Sequence, residues 1–368
     1  MEKAKVYFTD FRVQGGRNLL DKLKHLLKRA GMAELPLDGK FTAVKVHFGE
    51  PGNLAFLRHN YARVIVDVLK EMGAKPFLTD SNTLYPGMRR NALDHLDAAY
   101  QNGFSPLQTG CHVIIADGLL GTDFVSVPVD GEYCDHALLG RAAVDAEAIV
   151  SLTHFKGHEL TGIGGALKNL GMGFGSTAGK REMHCDGKPV VNAESCVGCG
   201  MCLRACGSDA ITMQNHKAVI DQEKCSGCGR CVGSCHKQGA IGGADADYVM
   251  VSCKISEYAK AVVQGKPQFH VALVVDVSPL CDCYNRNDTP VIPDVGMFAS
   301  ADPVALDMAC AEAALRMNPL PGSALWECKH RTGDHFTDLH PGTNWRVGLQ
   351  HAQKIGLGTT EYELIEVR

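Results

Sequence analysis

The sequence predicts an α/β protein, a mostly parallel sheet flanked by helices, with a small cysteine-rich α+β domain inserted into it. Three observations lead there. Strand and helix signals alternate along the first 80 residues, which implies βαβ units. A chain of 368 residues can fill one large or two ordinary domains. Half of the 16 cysteines fall between Lys188 and Gly243, where no long amphipathic element occurs. The expected boundaries are 1–187 and 246–368 for a discontinuous α/β domain and 188–245 for the insertion.

The elements follow in order. VYF, near the start, is a short β-rich run. Leu19, Leu20, Leu23, Leu26 and Leu27 line one face of a helix that Gly31 stops. FTAVKVHF is the second strand. Asn53 is placed to cap a helix with the apolar stripe Leu57, Tyr61, Val64, Ile65 and Val68, which ends at Gly73 before the third strand, KPFLTD. Further strands are predicted at HVIIAD, EAIVSLTH, YVMVSC and FHVALVVDV. Helices are predicted over about Asp302 to Leu315 and Asn344 to Ile355.

Composition excludes several classes of function. With a net charge of -4 there is no basic excess to neutralise nucleic-acid phosphates. The start, MEKAKVYFTD, lacks the apolar core of a signal peptide. No apolar run reaches the ~20 residues that span a bilayer. A soluble cytoplasmic protein is expected, and in that compartment cysteines at close spacing point to metal rather than disulfides.

The inserted segment carries an internal repeat. Cys196, Cys199, Cys202 and Cys206 follow C-x2-C-x2-C-x3-C, and Cys225, Cys228, Cys231 and Cys235 repeat it. Three thiolates at this spacing wrap one 4Fe–4S cubane, and the fourth of each run reaches the other cluster. Gly198, Gly200, Gly227 and Gly229 permit the positive φ that wrapping requires. One cluster is therefore assigned to Cys196, Cys199, Cys202 and Cys235, and the other to Cys225, Cys228, Cys231 and Cys206. Zinc sites use paired C-x2-C motifs without this third and fourth cysteine. The segment resembles bacterial two-cluster ferredoxins throughout. It departs from them where proline usually follows each fourth cysteine, since Gly207 and His236 stand there.

The larger domain is less specific. The glycines from Gly162 to Gly179 do not form GxGxxG, and Gly175 to Lys180 is one residue short of a P-loop and is followed by Arg181. Lys168, Lys180 and Arg181 could still hold an anionic group. His154 and His158 would share a face if helical, and HFKGH lacks a zincin glutamate. With His184 and Cys185 nearby, they serve a metal or a polar substrate, or hydrogen-bond loop backbone. In FTAVKVHF, Lys45 and His47 share the face opposite Val44, Val46 and Phe48, and a sheet covered on both sides should not bury Lys45 without a partner. Asp80 and Asn82, and likewise Glu50 and Asn53, follow strand ends, where α/β folds bind ligands. Cys281 and Cys283 either ligate metal or are two partly buried thiols. Cys111, Cys134, Cys253, Cys310 and Cys328 are scattered, and most are expected in the core.

Taken together, KVHFGEPGN at 45–53, TDSNTLYPG at 79–87, HFKGHELTGIGGALKNLGMG at 154–173, the segment 281–307 and HAQKIGLG near the carboxyl end resemble the domain-of-unknown-function 362 family. The resemblance implies an iron–sulfur protein of anaerobic metabolism. It also implies Lys45, His47, His154, Lys156, His158, Lys168, Asn169, Asp282, Asp294 and Asp302 as site candidates. The expectation is an electron-transfer protein or oxidoreductase whose clusters serve a site built on Lys45, His47, His154 and His158. A further metal ion at His154, His158, His184, Cys281 and Cys283 is left open, and so is a homo-oligomer. The expected partner is a ferredoxin or flavoprotein, or a small anionic ligand. The alternative is a non-redox metal- or ligand-binding or maturation protein with structural or sensory clusters.

Overall fold

The computed structural model describes residues 3–13, 15–84, 87–184, 188–206, 209–225, 231, 234–235, 239–242 and 248–368. Eight strands form one sheet: β1 Ala4–Thr9, β2 Phe41–Lys45, β3 Lys75–Asp80, β4 Val113–Ile115, β5 Ala148–His154, β6 Gln268–Val274, β7 Gly296–Ser300 and β8 Tyr362–Glu366. Their order is β8-β1-β7-β6-β5-β2-β3-β4. β7 runs antiparallel to both neighbours, and the other pairings are parallel. The predicted α/β class, a mostly parallel sheet between helices, is what the chain forms.

Alternation along the strands divides the interior in two. Val44, Leu78, Val150, Leu152, Val271 and Leu273 face one layer, built on helices α1 Leu19–Arg29 and α2 His59–Glu71. Ala43, Phe77, Ile149, Ala272 and Phe298 face the other. That second layer holds α3 Ala166–Phe174, α4 Thr177–His184, α5 Tyr248–Val263, α6 Pro303–Leu315 and α7 Arg346–Lys354. α1 starts on a capping box, in which Asn18 accepts from the Leu20 and Asp21 N–H groups and Asp21 accepts from the Asn18 N–H.

Four local expectations are corrected. YVMVSC is the start of α5, not a strand. An apolar run that short fits either element, and here burial on nearly every side between α3 and α7 selects the helix. FTAVKVHF leaves the strand at Lys45. Asn53 caps no helix: α2 begins after Arg58, and the Asn53 amide donates to Tyr284 O and Arg286 O at 3.2 Å. His154 and His158 are not on a helix, because His154 ends β5 and Lys156–His158 is a short strand paired with Gly162–Gly164.

The cysteine-rich segment lies between α4 and α5. Its described part holds two short antiparallel pairings, 190–191 with 241–242 and the hairpin 211–214 with 217–220, and a short helix, Met201–Ala205. Its interior is a separate cluster in which Cys196, Cys202, Cys231 and Cys235 alternate with Ile211, Ala218, Ala240 and Ile241. Cys185, Gly207, Gly227, Cys228, Gly229 and His236 lie outside the described residues. Where the segment leaves and rejoins the body, Lys254 Nζ donates to Glu182 O at 3.1 Å and Tyr258 Oη donates to the Glu182 carboxylate. Among the described residues no helix is long and apolar enough to cross a membrane.

Candidate functional site

The carboxyl ends of β2, β3 and β5 open into a cleft that α3, α4 and the 281–283 turn close over. Its cavity of about 60 Å³ is lined by Lys45, His47, Asp80, Arg89, Lys168 and Lys180 among others. Lys45 is buried, as a charge on a doubly covered strand can be only with partners. Its Nζ lies 3.0 Å from Asp80 Oδ1 and donates to Asn169 Oδ1 at 2.9 Å. Burial opposes ionisation of both Lys45 and Asp80. The Asp80 carboxyl nevertheless stays below the usual range because Lys45, His47, His95 and Arg89 surround it. α3 can approach this closely because residue 173 is glycine: a Cβ there would sit 2.2 Å from Lys45 Cε.

Arg89 extends the network. Its Nε lies 2.9 Å from Glu50 Oε2, and its Nη1 lies 3.0 Å from His47 Nε2. The Gly49 N–H donates to His47 Nδ1 at 3.0 Å. Burial, then the Arg89 charge, push the His47 imidazole down to about 3, so His47 is neutral.

A second network centres on Asp282. Both its oxygens lie 3.0 Å from His154 Nδ1, and Oδ2 lies 3.1 Å from Lys156 Nζ. His154 Nε2 faces Val275 O at 2.8 Å, so neither ring nitrogen turns a lone pair to the cavity. Burial opposes the Asp282 charge, yet His154 and Lys156 hold its carboxyl well below the usual range.

At the opposite wall Lys168 Nζ donates to Cys281 Sγ at 3.5 Å. His158 accepts from the Leu160 and Thr161 N–H groups at Nδ1, and burial, then the Lys168 charge, push its imidazole down. The Cys283 thiol, then Lys168 and His158, draw the Cys281 thiol well below its usual range against burial. Lys180 donates to Gly175 O at 2.6 Å, and burial pushes its ammonium down to about 8. His184 is pushed down to about 4 by burial and by Lys168, His158 and Lys180.

The cleft thus gathers Lys45, His47, Asp80, His154, Lys156, Lys168 and Asn169, with His158 and His184 just behind its wall. Two implied candidates lie elsewhere in structural roles. Asp302 caps α6 and accepts from the Thr359 N–H, and Asp294 accepts from the Asp276 N–H. Of the scattered cysteines, Cys111, Cys134, Cys253 and Cys310 are buried and Cys328 is half-buried. Arg89 and His95 escaped the sequence reading, since both sit after β3 without periodic or motif context. The glycines of α3 serve packing: Gly171 lets α3 meet Ile255 O, and the Ala166 and Leu167 N–H groups at its start already donate to Asp307. Among the described residues no three His, Cys, Asp or Glu side chains converge on one metal position.

In the cysteine-rich segment, Cys196, Cys199, Cys202 and Cys235 line one cavity together with Gly198 and Gly200, whose φ is 69° at both. The Ala218 N–H donates to Cys196 Sγ and the Ala210 N–H to Cys206 Sγ, both at 3.4 Å. Four thiolates that each bind a different iron stand around a cavity rather than meet at a point. The arrangement therefore suits a cubane while giving no single-ion site.

Comparison with known proteins adds the following. The chain is 26% identical over 169 residues to the thylakoid-associated protein sll1697 of Synechocystis sp., a match covering 45% of this chain and 48% of that one. It thus spans about half the length of this curated relative. Among solved structures, the lactate racemase apoprotein from Thermoanaerobacterium thermosaccharolyticum aligns with a TM-score of 0.35 and 11% identity, over 74% of this chain and 51% of that one. A Thermotoga maritima protein aligns with a TM-score of 0.41 and 12% identity, over 82% and 59%. The model of the domain of unknown function DUF362 matches residues 42–312, which take in β2 to β7 and every residue of the cleft described above, and the chain belongs to that family.

Proposed function

We propose that the protein is an iron–sulfur protein in which two 4Fe–4S clusters on the cysteine-rich segment exchange electrons for a ligand held in the cleft. The observation that carries this reading is the cavity shared by Cys196, Cys199, Cys202 and Cys235. These residues come from opposite ends of the segment, and they are the set that crossed ligation demands. The N–H groups of Ala218 and Ala210 aimed at sulfur are the kind that tune cluster potential. Such clusters supply single electrons. On this reading the redox partner is a ferredoxin or flavoprotein, and the lysine-rich cleft takes a small anionic ligand in a protein of anaerobic metabolism.

The test is metal analysis of anaerobically reconstituted protein, with about eight irons and eight acid-labile sulfides expected. Cys206→Ala should disturb the cluster built on Cys225, Cys228 and Cys231 and leave the electron paramagnetic resonance signal of the other intact. Stoichiometric zinc instead of iron, or loss of the Cys196 cluster in that variant, would overturn the assignment.

A further inference from the structure

The 281–283 turn carries more than a lining role. The Tyr284 N–H donates to Cys281 O at 3.1 Å, closing a turn that brings the Cys281 and Cys283 side chains into hydrogen-bond contact. Lys168 Nζ donates to the Cys281 sulfur at 3.5 Å, and Cys283 and His158 act with it to hold the Cys281 thiol below its usual range. The His158 tautomer follows from its other contacts. Nδ1 accepts two backbone N–H groups, so in the neutral ring the hydrogen sits on Nε2. His158 therefore does not act as a base toward this thiol. An ammonium hydrogen-bonded to a sulfur favours the thiolate and supplies its countercharge. Cys281 is itself buried, while Cys283 is half-buried, and both line the cavity. Two cysteines one residue apart that open onto the same cavity, one of them hydrogen-bonded to a lysine ammonium, have the layout of an attacking and a resolving pair.

We propose that Cys281 and Cys283 form a thiol–disulfide exchange couple, which takes a small disulfide-bearing molecule at the cleft. The Cys281 thiolate attacks one sulfur of the substrate disulfide, forming a mixed disulfide and releasing one thiolate. Cys283 then attacks the Cys281 sulfur of that mixed disulfide, giving the Cys281–Cys283 disulfide and expelling the second substrate sulfur. The substrate disulfide gains two electrons, and the two cysteines lose them. The proton that Cys283 gives up goes to this second sulfur, which leaves as a thiol, while the first stays a thiolate. Lys168 and His158 are positioning residues that keep Cys281 ionised. The couple uses the same cleft as the proposed function but none of its cluster chemistry, so either reading can fail alone.

The experiment treats the full chain anaerobically with bis(2-hydroxyethyl) disulfide and maps cysteines by peptide mass spectrometry. The wild type should lose two hydrogens in the peptide spanning 281–283, and dithiothreitol should restore them. Cys283→Ser should instead trap the hydroxyethyl adduct on Cys281. Lys168→Met, whose fold is checked by circular dichroism, should slow adduct formation at least tenfold at pH 7 and less at pH 9, where an unassisted thiol ionises. A purely structural role for Lys168 would not change with pH in this way. The proposal is overturned if the Cys283→Ser adduct forms on buried Cys310 as readily as on Cys281. It is equally overturned if wild-type protein never forms the 281–283 disulfide, or if the two thiols retain a stoichiometric metal ion instead.

Discussion

The cleft of the α/β body and the interior of the cysteine-rich segment are both concentrations of functional side chains, and they are stabilised in opposite ways. In the cleft every charge described above has a protein partner: Lys45 with Asp80, Arg89 with Glu50, Lys156 with Asp282. The polypeptide completes that site unaided, and it rests on two apolar layers. Among the described residues of the segment, four of the eight buried core residues are cysteines, and the rest are two isoleucines and two alanines. On the proposed reading the metal clusters stand in for a core. The difference teaches that the cleft is preorganised by buried ion pairs and, on the proposed reading, the segment by the clusters it binds.

The largest effect should come from removing the clusters. Chelation under anaerobic conditions should abolish hydrogen-exchange protection over 190–242 while protection of β2, β5 and β6 persists. Equal loss in both regions would mean that they share one cooperative core.

The next effect is on the body. Asp282→Ala leaves His154 and Lys156 buried without their carboxylate, and removing one partner of a buried pair costs about 3–5 kcal/mol. Urea denaturation should show that loss while cluster absorbance per protein stays unchanged. A cost below about 1 kcal/mol would place water, not protein, around these charges.

The smallest effect concerns pH. Burial works against the His351 charge, but hydrogen bonds to Cys253 and to Glu257, 2.8 Å away, raise its imidazole to about 9. A base raised above its unfolded value of 6.5 adds stability fully present below pH 6.5 and lost as pH rises through 9. Discounted for partial solvent screening, that is on the order of 1–2 kcal/mol. Melting temperature should therefore fall between pH 6.5 and 9 in the wild type and stay flatter in His351→Gln. Parallel slopes in the two proteins would discard the assignment.

How much of this was legible in the sequence depends on how far apart the cooperating residues lie. The grouping of Cys196, Cys199, Cys202 and Cys235 around one cavity was legible because their spacing along the chain is itself the geometry; that they ligate a cluster is the proposed reading. Lys45 was legible for another reason: a lysine inside a run that must be covered on both faces announces a partner. The partner, Asp80, was found as a strand-end residue, yet nothing in the chain paired the two. Arg89 carried no signal, since it acts from a loop on His47 and Glu50, about 40 residues earlier. YVMVSC was misread because six residues, five of them apolar, fit a strand as well as a buried helix turn. His154 and His158 do share a neighbourhood as the spacing suggested, but through an extended chain that places Lys156 between them.

The contact of Tyr258 and Lys254 with Glu182 has a consequence for how such a chain can change. It fastens the outgoing and incoming ends of the cysteine-rich segment to each other on the body. The body therefore meets the segment as a loop already closed. Closure entropy grows only logarithmically with loop length, about 0.6 kcal/mol for each doubling. A segment of another size, or none, could occupy the same two anchor points with little change to the body's folding equilibrium. On the proposed reading the insertion is in that sense a cartridge, and the body a socket that folds without it.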